Sequence, residues 1–196
     1  MKHRVFLFAA ALAALACPGT AMAHVGAGAT ASFMAGVAHP YGGLDHIAVM
    51  IAVGLWAALK GGRALWLWPC IFVGVMLAGG LLGMAQVPLP LVEPGILASV
   101  VVLGLLVALA ADLPVWLGAT IIGLFAVFHG HAHGSEIAEN VGGIKYMAGF
   151  ALATASLHAV GLGVALGLSS GRLRPLVQLA GAGCVLLGVA LAFELV

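Results

Sequence analysis

Charge is what this sequence has least of. Its 196 residues include seven Lys or Arg and six Asp or Glu, 7% in all, where soluble domains carry about 25%. With a mean hydropathy of +1.23, a water-soluble fold could not coat its surface with polar groups. Cysteine is nearly absent as well. Cys17 directly follows the N-terminal apolar run, and Cys70 and Cys184 each sit inside another such run. That distribution excludes a disulfide framework and a CxxC metal site. No basic run accompanies the net charge of +1, so nothing points to a nucleic-acid partner. Neither a Walker A pattern nor a HExxH motif occurs, which argues against ATP hydrolysis by this chain and against a zincin-type enzyme.

What the sequence does have is a series of apolar segments of about 20 residues, separated by short polar punctuation. These read as helical spans rather than as the weak alternation of a membrane β-barrel. The expected fold class is therefore an all-α integral membrane protein. Lys2, His3 and Arg4 form a basic start, residues 5–16 an apolar core, and Ala21-Met22-Ala23 a small-residue cleavage pattern. Residues 1–23 thus read as a cleaved signal peptide and 24–196 as a six-helix membrane domain. Residues 24–43, containing His39-Pro40-Tyr41-Gly42-Gly43, read as a Pro/Gly-interrupted segment lying before the first span. Spans are expected at about 44–59, 64–84, 95–111, 115–129, 144–168 and 173–193. Trp66 and Trp68 suit interfacial anchoring, and Gly79/Gly83 and Gly163/Gly167 have the small-xxx-small spacing of packed membrane helices.

Loop charge sets the orientation. Lys60, Arg63, Arg172 and Arg174 fall between spans on one side, whereas Glu93, Glu136 and Glu139, with only Lys145, fall on the other. The positive-inside rule places the first set in the cytoplasm. A cleaved leader independently places His24 outside. The expectation is a multi-pass protein of the inner (cytoplasmic) membrane of a bacterium, with both termini periplasmic.

Seven of the eight histidines remain after cleavage: His24, His39, His46, His129, His131, His133 and His158. All but His158 fall at or near the outer side. Gathered imidazoles and carboxylates are costly at membrane depth and suit divalent transition metals. If the fourth span continues as a helix, His129, His133 and Glu136 share one stripe at i, i+4 and i+7, and His131 points away, better placed to collect metal than to hold it. If the chain is extended at Gly130 or Gly134, the three histidines are presented differently. A solvated His-rich loop is the bland alternative. Asp45 and His46 begin a helix, so Asp45 either caps it or orients an imidazole, and His39 and His46 are either ligands or hydrogen-bonded structural histidines. Met50 shares the face of His46, as a thioether ligand or as packing. Thr154 shares the face of His158, which is either a transit ligand or a helix–helix hydrogen bond. His24 could chelate through its amine and ring, or belong to a loose terminus.

Three motifs carry a resemblance. His39-Pro-x-x-Gly43-x-Asp45-His46, Phe128-His129-Gly130-x-Ala132-His133-Gly134-x-Glu136 and Thr154-x-x-Leu157-His158 resemble those of the HupE/UreJ family, across essentially the whole mature chain. The resemblance implies a nickel, sometimes cobalt, permease associated with hydrogenase or urease maturation, with the motif histidines and acids as ligands. The expected partners are the lipid bilayer and the metal ion, with no prosthetic group; Zn²⁺ or Cu²⁺ as cargo and a homo-oligomeric state stay open. Two readings compete: an intramembrane metal-dependent hydrolase using Ser135 or Ser156, and a periplasmic metal sensor or store that does not transport. A ligand histidine must be neutral, so uptake is expected to weaken below about pH 6.5.

Overall fold

Helix is the only regular structure among the described residues, which in this computed structural model are 32–137, 141–168 and 174–195. The expected leader, His24, Glu139 and Arg172 lie outside them. A short α1 (Phe33–Ala38) runs into a 3₁₀ turn (His39–Tyr41), then α2 (Leu44–Lys60), α3 (Ala64–Met84), α4 (Val92–Ala108), α5 (Val115–Ser135), α6 (Val141–Gly167) and α7 (Arg174–Ala192). The Ser32 hydroxyl accepts from the Ala35 amide at 3.0 Å and starts α1. Pro40 sits early in the 3₁₀ turn. The chain then bends by 84° before α2.

Four helices, α3, α5, α6 and α7, are long and apolar enough to cross a membrane, and the bent pair of α1 with α2 would make a fifth. The 17-residue α4 is apolar but shorter. Six spans were expected; α2 taken alone and α4, at 17 residues each, are the two helices below the usual crossing length of about 20 residues. The outside of the bundle is itself apolar. Leu105, Trp116, Leu124, Leu152, Leu179 and Leu186 are all exposed, an arrangement suited to lipid and costly in water.

The helices pack α3 on α5, α4 on α7, and α2 on α6, with α1 laid against α6. The α3–α5 contact depends on glycine. A Cβ at Gly130 would fall on the Met76 carbonyl oxygen, and one at Gly134 on the Gly80 carbonyl oxygen. Gly79 and Gly83 also meet α5, where a Cβ would lie 2.6 Å from the Val127 carbonyl oxygen and closer still to that of His131, respectively, whereas Gly163 and Gly167 have nothing within 4 Å and close no contact. Of the two expected interfacial tryptophans, Trp66 is exposed but Trp68 is fully buried. Its Nε1 donates to the Val115 carbonyl at 2.9 Å and its ring lies 4.3 Å from Trp56. Trp68 is therefore core, because a backbone acceptor inside the bundle satisfies its indole N–H.

This packing separates two polar ends. At one, the Lys60 ammonium donates to the Asp112 carboxylate, with Arg174 adding to the same field. At the other, the start of α2 meets the end of α5, and the histidines gather there.

Candidate metal centre

Glycine in a polar stretch often ends a helix, but α5 continues through Gly130 and Gly134 to Ser135. Both glycines are needed where α5 touches α3, so packing overrides their weak helix propensity. The helical alternative for residues 128–136 thus holds, but the expected trio of His129, His133 and Glu136 does not come together as one group. His133 and Glu136 instead meet His39, delivered by the 3₁₀ turn. One ligand atom from each of the three lies within 4.8 Å of the other two. His133 is buried, His39 half-buried and Glu136 exposed, so the group opens toward the end of the bundle.

His46, in the first turn of α2, meets His133 beside this group of three. Its Nε2 faces His133 Nε2, with ring centroids 4.6 Å apart. Its Nδ1 lies 2.7 Å from Asp45 Oδ1. A carboxylate only accepts, so Nδ1 carries the proton and Nε2 of the neutral ring is a lone pair aimed at His133. Asp45 is placed to orient His46, in the manner of carboxylates behind metal-binding imidazoles. A Cβ at Gly43 would lie 2.6 Å from Asp45 Oδ1 and 2.8 Å from His46 Nδ1, which explains that position in the motif. Phe150 walls the group, 4.6 Å from the His133 ring and 5.9 Å from that of His39. Tyr146 lies 5.8 Å from His39.

His129 lies one turn deeper, fully buried, 5.2 Å from the His46 ring. Its Nε2 is 2.9 Å from Ser99 Oγ of α4. The Phe72 ring comes next, 5.7 Å from His129 and 5.0 Å from His158. His158 Nδ1 donates to the Met50 carbonyl at 2.7 Å. Met50 thus meets it through backbone rather than sulfur. Thr154 turns to the Met76 sulfur at 3.7 Å. His158 also lines a groove of about 480 Å³ between α3 and α6, with Cys70, Val73 and Ala155. His131 points away from the cluster, as expected, but it is buried rather than open at the mouth, with Nε2 on the Val87 carbonyl at 2.7 Å.

Four buried imidazole nitrogens have no hydrogen-bond partner among the described residues: His129 Nδ1, His131 Nδ1, His133 Nδ1 and His158 Nε2. Each unpaired buried polar atom costs about 1–3 kcal/mol, so their concentration here marks a region shaped by something other than stability. Glu136, at the edge of the group, is pushed above the usual carboxylate range by burial and by the nearby Glu93 carboxylate, with His46 pulling the other way. The serines considered as nucleophiles are otherwise engaged. Ser135 donates to the Ala132 carbonyl at 2.7 Å, and Ser156 donates to Ala153 at 2.6 Å while facing the Tyr41 hydroxyl.

Sequence reasoning missed Ser99, Phe72, Phe150 and Tyr146. Ser99 left one trace: it is the only hydroxyl within α4, and a polar group inside a span faces the bundle interior. The aromatic walls left none, since buried rings are ordinary in apolar helices.

The sequence model of the HupE / UreJ protein family matches residues 12–191. Protein HupE of Rhizobium leguminosarum bv. viciae is 46% identical over 181 residues, covering 92% of this chain and 94% of that protein. No solved structure matches the chain. A match over nearly the full length, with the histidine motifs of both α2 and α5 inside it, makes this chain a member of the HupE/UreJ family.

Proposed function

We propose that this chain is a permease that takes up a divalent transition metal, Ni²⁺ or Co²⁺, for metalloenzyme maturation. It does so across the inner membrane, with six spans and the histidine end facing the periplasm. The observation that carries this reading is the convergence of His39, His133 and Glu136, with His46 Nε2 facing His133 Nε2. Imidazole nitrogen with carboxylate oxygen is a donor set for such ions. Four ligands from the 3₁₀ turn, α2 and the end of α5 would replace part of the ion's water shell, and the Phe150 wall would keep bulk water from returning.

From there the cation would move inward past His129 and His158, each buried with one bare nitrogen. An inside-negative potential favours a divalent cation by about 4.6 kcal/mol per 100 mV. The Lys60–Asp112–Arg174 end suits the cytoplasmic face.

Radiolabelled Ni²⁺ accumulation in cells expressing the chain tests this reading. Wild type should accumulate metal, and His133→Ala at equal abundance should not. No accumulation above empty cells would refute the permease reading and favour a sensor or store.

A further inference from the structure

Ser99 is fully buried on α4, a helix that carries none of the three motifs. Its Oγ makes two hydrogen bonds. It lies 2.5 Å from the Ile96 carbonyl oxygen and 2.9 Å from His129 Nε2. A hydroxyl has one hydrogen to give, and a carbonyl oxygen can only accept. The Ser99 hydrogen therefore goes to Ile96, and the second bond must run the other way, with His129 Nε2–H donating to Ser99 Oγ. A neutral imidazole carries one proton, so His129 Nδ1 is a bare lone pair. This agrees with its surroundings, since His129 Nδ1 is buried with no hydrogen-bond partner among the described residues. Were the proton on Nδ1 instead, that buried N–H would go unsatisfied, and Ser99 would have to withdraw its hydrogen from Ile96 to serve Nε2.

We propose that Ser99 is a positioning residue of the metal path. By accepting the Nε2 proton of His129 it fixes the tautomer in which Nδ1 is the nitrogen offered to the ion. The inference rests on the reading that His129 lies on that path. The same device recurs around it with other partners. Asp45 holds the Nδ1 proton of His46, and the Met50 carbonyl accepts from His158 Nδ1. His129 and His158 thus each have one nitrogen pinned and the other without a hydrogen-bond partner among the described residues, whereas the second nitrogen of His46 faces His133 Nε2. In His129 the pinning group comes from outside the motifs.

The test uses the full chain with ¹⁵N-labelled histidine, metal-free in lipid, together with uptake in cells. Imidazole ¹⁵N spectra should show His129, assigned by its loss in His129→Ala, protonated on Nε2 in wild type and in Ser99→Thr. Ser99→Ala should give a mixture of tautomers. In cells, Ser99→Ala at equal abundance should raise the apparent KM for Ni²⁺ by about tenfold, the lower end of the effect of removing a group behind a ligand, and Ser99→Thr should restore it. Nδ1 protonation in the wild type would overturn the proposal, as would an unchanged KM in Ser99→Ala. Should Ser99→Ala fail to accumulate as protein, the wild-type spectrum and Ser99→Thr still decide. Unchanged uptake in His129→Ala would remove His129 from the path, and with it this role of Ser99. Failure of the permease reading is separate: it appears as no accumulation by wild type, whatever the tautomer.

Discussion

At one end of the bundle Lys60 meets Asp112 in solvent, each charge with its partner. At the other, His46 and His133 turn their Nε2 atoms toward each other beside Phe150, and buried ring nitrogens go unpaired. Both ends hold a few polar groups in an otherwise apolar molecule. The difference lies in what is left unsatisfied. The Lys60 end is complete as a protein surface. The histidine end leaves buried ring nitrogens without partners among the described residues, beside the carboxylate of Glu136, a donor set that the proposed cation would occupy. The two carboxylates that flank the spans show the same contrast. The Lys60 ammonium holds Asp112 below the usual range, whereas burial and Glu93 push Glu136 above it.

The contrast can be broken in several ways. The largest effect should come from the packing that delivers His133 to its place. Gly130→Ala drives a Cβ onto the Met76 backbone, an overpacking that costs about 1–3 kcal/mol or more. It should sharply lower both the abundance and the melting temperature in detergent, while Gly163→Ala, with open space around it, should leave both unchanged. Next is Asp45→Asn, which removes the carboxylate that fixes His46. Metal affinity measured by calorimetry should fall about 10- to 100-fold with the melting temperature retained.

Glu136 gives a smaller, pH-dependent effect. Only its carboxylate form can bind a cation, and its raised pKa means that protonation sets in at higher pH than for an ordinary glutamate as the medium is acidified. Uptake should therefore decline on acidification, and Glu136→Gln should show weaker uptake with a flatter profile on the acid side. The smallest effect belongs to the opposite end. Asp112→Asn should leave Ni²⁺ uptake unchanged at neutral pH. The Lys60 pair contributes above the ordinary aspartate pKa and is lost only as pH falls through the lowered one, outside the range in which Glu136 titrates.

Much of the helical layout was legible in the sequence, because apolar run length is a direct readout of membrane depth. The run at 64–84 emerged as Ala64–Met84. The next helix began at Val92 rather than near Gly95, since Pro94 is tolerated in a first turn. Which histidines would meet was less legible. Periodicity along α5 put His129 with His133 and Glu136, but His39 takes the place of His129 in that group through an 84° bend whose angle no local pattern encodes. The role of Asp45 was among the sequence alternatives, and the 2.7 Å contact with His46 selects it. Ser99 was invisible as a partner of His129 because the pairing joins α4 to α5 across 30 residues.

The central claim is that His39, His46, His133 and Glu136 hold one cation together. X-ray absorption on purified full chain loaded with one equivalent of Ni²⁺ tests it most directly. The expected result is a shell of nitrogen and oxygen with the multiple-scattering signature of at least two imidazoles, which His133→Ala reduces. A shell without imidazole, or one that His133→Ala leaves unchanged, would contradict it.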